Sequence, residues 1–174
     1  MLSLVRKPSS ILCACFLLAQ ATVFTQETTF EGQPAIKLSN GQLELTIMVQ
    51  GSSLANLVLS DDPEKLSPLW NPIRMARELG HTISYNGGTG HFVCVDGFGP
   101  VSPEERAAGL PGHGEAHTQR FEVQSSKQGS VSTVTMSAKL PIVQESFTRR
   151  FRMAAGENVI YVDSELENLL GFDR

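Results

Sequence analysis

The sequence predicts an all-β protein, a large antiparallel β-sandwich, on three observations. Residues 42–49 alternate, with Leu43, Leu45, Ile47 and Val49 at every second position, the period of two that a half-buried strand requires because successive side chains point to opposite faces. Four further runs rich in Val, Thr and Phe, at residues 120–124, 131–140, 146–153 and 158–166, follow closely with turn residues between them; such spacing is that of an antiparallel meander. The helical signal amounts to one short segment. A length of 174 residues with 41% hydrophobic and 18% charged residues suits a single domain with a hydrophobic core and argues against disorder.

Taken in chain order, the first element is a leader. Arg6 and Lys7 precede a short apolar run that closes on Ala19-Gln20-Ala21, the layout of a secretory signal peptide. Residues 1–21 are therefore expected to be removed, leaving a domain over residues 22–174 that is exported to the periplasm or the extracellular space. A lipoprotein reading competes, because Leu12-Cys13-Ala14-Cys15 places a small residue before Cys15. The apolar run is too short to span a bilayer, and no other stretch approaches the roughly 20 apolar residues a span needs.

Without the leader the chain keeps 12 basic and 18 acidic residues, a net charge of −6, which repels a polyanion and excludes nucleic acid as a partner. Cys94 is then the one cysteine left, inside the apolar stretch Phe92-Val93-Cys94-Val95. An internal disulfide is excluded, and a buried thiol is expected.

The strand at 42–49 puts Leu43, Leu45, Ile47 and Val49 on one face, with Gln42, Glu44, Thr46 and Met48 on the other. Asn40-Gly41 before it and Gly51-Ser52-Ser53 after it are turn formers, and 54–59 is a second apolar run of strand length, so a hairpin is expected. In the second half Gly129, Pro141 and Ala155-Gly156 separate the strands. The run 146–153 carries Phe147 and Phe151 on one face, with Arg149 between them, and Thr148, Arg150 and Arg152 on the other. The last residues run off a strand into Leu169-Leu170-Gly171-Phe172, so the sandwich is expected to be incomplete, with an unpaired sheet edge.

Residues 86–117 form a long connection dense in glycine, proline and histidine, and long ordered loops often carry function. It holds the short helix: Ser102 as N-cap, Pro103 in the first helical position, Glu105 completing a capping box and Gly109 as terminator. Downstream lies Gly109-Leu-Pro-Gly-His113-Gly-Glu115-Ala-His117. Flanking glycines let backbone and ligand approach the His113 imidazole, or they simply make turns. His-x-Glu-x-His lacks the spacing and helical context of a zinc motif, so no metal site is expected. Asp96 beside Gly97 is either a sugar contact or a turn former. Trp70 could stack on a sugar ring or pack in the core. No phosphate-cradling loop, nucleophile elbow or dinucleotide fingerprint is present.

The stretch Gly90-His-Phe-Val-Cys-Val-Asp-Gly-Phe-Gly-Pro100 followed by Gly112-His-Gly-Glu-Ala116, together with Asn40-Gly-Gln-Leu-Glu-Leu and Pro68-Leu-Trp-Asn71, resembles the aldose 1-epimerase (galactose mutarotase-like) superfamily over residues 36–174. The resemblance implies a galactose mutarotase-like supersandwich, represented by its N-terminal portion. It implies a carbohydrate ligand, a hexose or glycan, and no cofactor. His113 matches the first active-site histidine of that family, which bonds a sugar hydroxyl and orients the ring. With it, Asp96, Glu115, His117 and Trp70 are taken as substrate-binding candidates. The family's catalytic histidine and glutamate lie C-terminal to the matched region, so no catalytic residue is assigned within this chain. Where relatives present an Asn-Arg pair, this chain has Asp96-Gly97, which bears on the sugar bound and on epimerase activity. The implied function is an exported aldose 1-epimerase-like isomerase lacking its acid and base; the alternative is a non-catalytic carbohydrate-binding sandwich.

Overall fold

The computed structural model describes residues 23–172; the leader expected at residues 1–21 lies outside them. Two four-stranded antiparallel sheets make up the molecule, each a simple meander. The first comprises β1 (Phe24–Phe30), β2 (Gln33–Ser39), β3 (Leu43–Met48) and β4 (Leu54–Leu59). The second comprises β5 (Glu122–Gln128), β6 (Val131–Leu140), β7 (Glu145–Ala154) and β8 (Tyr161–Asn168). The connection between the sheets carries two short helices, α1 (Pro72–Glu78) and α2 (Pro103–Ala107), and a 3-10 turn at Ala116–Thr118.

The alternation expected in the second half is what the core uses. Val134 and Met136 of β6 and Phe147, Phe151 and Met153 of β7 turn inward to meet Ile36 and Leu38 of β2 and Leu43, Leu45 and Ile47 of β3. Burying such side chains contributes roughly 1.5–3 kcal/mol each relative to leaving them in water, so the face between the sheets holds the fold together. On the opposite face of β7, Arg150 and Arg152 pair with Glu165 and Asp163 of β8 at 2.9 Å.

Two expectations are corrected by packing. Strand β3 is not half-buried: Thr46 and Met48, on its supposedly wet face, are also buried, because Met48 joins Ala35 and Ala55 in a second small cluster under Phe30 and Tyr85. The residues before position 40, for which the sequence predicts no strand, form two, and β1 is largely exposed because among the described residues it pairs only with β2, one residue against one from Phe24↔Ser39 to Phe30↔Gln33.

Polar ties join the sheets where their turns meet. Asn40, fully buried, accepts from the amides of Gln42 and Leu43 and donates its Nδ2 to the carbonyls of Ala154 and Glu157 at 2.8 and 2.7 Å. Arg149 lies in the core face of β7, its guanidinium against the Phe151 ring and donating to the Ser52 carbonyl. Burial, with no ion pair to offset it among the described residues, pushes its pKa down to about 10. The helix at 103–107 has the expected capping box, Glu105 N–H to Ser102 Oγ at 3.1 Å and Ser102 N–H to Glu105 Oε2 at 2.7 Å. No helix among the described residues is long and apolar enough to cross a membrane.

Candidate functional site

A cavity of about 480 Å³ opens where the inter-sheet connection folds over α1, within the size range of small-ligand sites. Its aromatic walls are Trp70, Tyr85 and Phe92, and its polar groups come from Asn86, Thr89, His113 and His117. Each arrives there for a local reason. Asn71 caps α1, accepting from the Arg74 amide at 2.9 Å, and its Nδ2 donates to Glu31, which also pairs with Arg77. Trp70, immediately before that cap, is thereby held on the wall, half in solvent, with its indole N–H directed at Met75 Sδ. Tyr85 donates its hydroxyl to the Gln50 carbonyl at 2.9 Å, and burial pushes the phenol pKa up.

His113 sits between Gly112 and Gly114 with φ of 67°, a left-handed conformation that costs a side-chain-bearing residue on the order of 1 kcal/mol or more. The neighbouring glycine explains why it is tolerated. A Cβ at Gly114 would run into the Val95 carbonyl, so the 112–117 segment lies directly against the 92–97 segment. That approach puts His113 edge-on to Phe92, ring centroids 5.2 Å apart, with His117 at 6.4 Å from His113 and nearly perpendicular to it. Gly87 makes the matching approach on the other side, where a Cβ would meet the His117 carbonyl.

The hydrogen bonding of His113 fixes its chemistry. The Gly99 amide donates to Nδ1 at 3.2 Å, and the Cys94 thiol lies 3.3 Å from the same nitrogen. An imidazole whose Nδ1 accepts carries its proton on Nε2, so in the neutral ring Nε2 is a donor. Cys94 is half-buried rather than a core thiol, and desolvation pushes its pKa up. At His117 burial lowers the pKa, and contact with the Gly114 carbonyl offsets part of that effect. The Thr89 hydroxyl is buried and has no protein partner among the described residues, which carries a desolvation cost.

Of the five residues singled out in the sequence, the structure brings Trp70, His113 and His117 together on the cavity and leaves two elsewhere. Glu115 is not on the wall: it is 1% exposed, and its Oε1 accepts from the amides of Ile142 and Val143 at 2.7 and 3.0 Å while Oε2 takes Gln119 Nε2. It anchors the β6–β7 turn. Asp96 is exposed, has φ of 56° and stays off the wall, the turn-forming alternative. His-x-Glu-x-His is therefore split, the carboxylate buried beneath and the imidazoles in the cavity, and no group of three potential metal ligands forms among the described residues.

Tyr85, Asn86, Thr89 and Phe92 were not legible as site residues. A faint signal existed in the aromatic and amide residues flanking Gly87-Gly88, but no periodicity marks a wall built from loops.

Comparison with solved structures identifies the architecture. YeaD from Salmonella typhimurium, assigned as a mutarotase, superimposes with a TM-score of 0.58 at 16% identity, over 84% of this chain and 50% of that one. The fold is aldose 1-epimerase-like. Galactose 1-epimerase from Lactobacillus acidophilus NCFM also matches, at 12% identity with a TM-score of 0.48, over 84% of this chain and 48% of that one. This chain spans about half the length of the solved structures it matches. No protein-family model matches it, and no curated protein matches it by sequence. The mutarotase-like sandwich expected from residues 36–174 is thus the observed fold, with the cavity at the end where the connection between its two sheets folds back.

Proposed function

We propose that this chain is the sugar-binding part of an exported aldose 1-epimerase-like protein, and that the cavity between Trp70, Phe92 and His113 holds a hexose. The observation that carries the reading is the Gly99 amide donating to His113 Nδ1, which leaves Nε2–H as the donor of the neutral ring, beside the aromatic faces of Trp70, Tyr85 and Phe92. A pyranose offers what this combination lacks, vicinal hydroxyls that accept and donate, and C–H faces that stack on aromatic rings. His113 would bond a sugar hydroxyl and orient the ring, with His117 across from it.

Mutarotation needs a general acid at the ring oxygen and a general base at the anomeric hydroxyl, and moves only protons; no cofactor enters. No acid or base is assigned to this chain. A second reading, a non-catalytic carbohydrate-binding sandwich, is favoured for the chain alone by one feature: the cavity wall contains no carboxylate.

The test is titration of the protein with α-D-glucose and α-D-galactose, followed by amide and imidazole resonances, with polarimetry alongside. Saturable shifts centred on Phe92, His113 and His117, weakened about tenfold or more in His113→Ala, are expected, since a buried hydrogen bond and its desolvated partners are worth roughly 1–3 kcal/mol. Faster loss of optical rotation would place turnover in this chain and decide against the binding-only reading. Unaltered affinity in His113→Ala would remove the site assignment.

A further inference from the structure

The turn between β3 and β4 faces two ways. On its inner side Ser52 is fully buried and has φ of 49°, a left-handed conformation that a side-chain-bearing residue keeps only where its surroundings hold it. Two groups of the second sheet do so. Ser52 Oγ donates to Met136 Sδ at 3.4 Å, and the Arg149 guanidinium, 97 positions further along the chain, donates to the Ser52 carbonyl. On its outer side the same turn carries the cavity. The Gly51 amide donates to the Gln119 carbonyl at 2.8 Å, a Cβ at Gly51 would run into the His117 carbonyl, and the Gln50 carbonyl accepts the Tyr85 hydroxyl at 2.9 Å. His117 and Tyr85 both line the cavity, so residues 50–52 connect its wall to the core of the second sheet.

Arg149 stands in that core between Phe147 and Phe151, 3% exposed, with its Nε buried and unpartnered among the described residues. A desolvated cation is weak evidence of a stabilising role, since apolar residues of similar volume often serve as well or better. What a guanidinium supplies that a methionine does not is a long donor able to reach a backbone carbonyl across the core. We propose that Arg149 is a positioning residue of the cavity: by holding the Ser52 carbonyl it fixes the turn against which His117 and Tyr85 are set. The last step, to sugar binding, rests on the function proposed above; the step to the two side chains does not.

The experiment compares Arg149→Met with Met153→Ala, a truncation on the same buried face of β7, both in the full chain. Resonances of the Gly51 amide, the Tyr85 ring and the His117 imidazole are recorded first without ligand and then during titration with D-galactose. Arg149→Met is expected to shift all three and to weaken galactose binding about tenfold. Met153→Ala is expected to lower the melting temperature and leave the three resonances and the affinity as they are. The ligand-free spectra decide the proposal even where the native protein binds no galactose, an outcome that removes the sugar reading alone. Hydrogen exchange in the native protein needs no variant to fold: the Gly51 amide should exchange as slowly as the amides of β7. Native resonance positions in Arg149→Met, equal shifts in Met153→Ala, or a Gly51 amide exchanging like that of an exposed loop would each overturn the proposal.

Discussion

Three neighbouring side chains in the 113–117 segment have three different fates, and their hydrogen bonds say what each is for. His113 is held by Gly99 and Cys94 with its donor nitrogen free, His117 lies on the wall with a lowered pKa, and Glu115 points into the protein to take two backbone amides. Glu115→Ala should thus cost about 2–4 kcal/mol of stability, because it orphans two amide donors beneath the β6–β7 turn; a denaturant titration beside His113→Ala, which removes the acceptor of one part-buried amide, that of Gly99, and should cost less, checks the contrast. The lowered pKa of His117 sets a pH dependence of definite sign. Folding favours its neutral form, so the stability it contributes is fully present above its ordinary value of 6.5 and is lost as pH falls from there through the lower folded value. Melting temperatures measured from pH 8 to pH 5 should fall more steeply in the native protein than in His117→Asn.

At the scale of elements, the cavity depends on a short helix that does not itself look functional. Strand signals were legible because β6 and β7 alternate over ten residues each, and the capping box at 102–105 because its three signals lie within four positions. Helix α1 was missed: Asn71 and Pro72 are a cap and a first-turn proline, but its seven residues bury only Ala76, too little to print an apolar stripe. Its role is to fix Trp70. Asn71→Ala should cost about 1 kcal/mol through loss of the cap, and should weaken sugar binding although Asn71 is not on the wall. A calorimetric titration of that variant beside Trp70→Ala tests the coupling; equal affinity to the native protein would detach α1 from the site.

For the molecule as a whole, two meanders become one unit through the apolar face between them and a few buried polar ties. Asn40 is the most connected of these, bonding its own turn and the turn after β7. Asn40→Ala leaves two amides and two carbonyls to find other partners, and a loss of about 2–4 kcal/mol is expected. Because the core is shared, that loss should appear as one cooperative transition at a lower midpoint, with tryptophan fluorescence reporting Trp70 in the connection and circular dichroism reporting the sheets. Two separated transitions would show the sheets to be independent.

By itself the sequence determined the fold class, the strands from β3 onward, the cap of α2 and the glycine-framed His113, because each is written in short-range physics: period-two alternation, capping, and the conformational freedom of glycine. Strand β1 escaped because an exposed edge strand carries almost no apolar period, and β2 because its seven residues give only Ala35, Ile36 and Leu38 as apolar markers beside Pro34 and Lys37. Tertiary structure alone decided that Met48 is buried on the second face of β3, that Glu115 and His117 part company two residues apart, that Asp96 stays outside and that Thr89 and Phe92 come in. Those outcomes depend on which segments approach each other across gaps of tens of residues, as Gly114 does with Val95 and Gly87 with His117, and no local pattern encodes which partner a glycine makes room for.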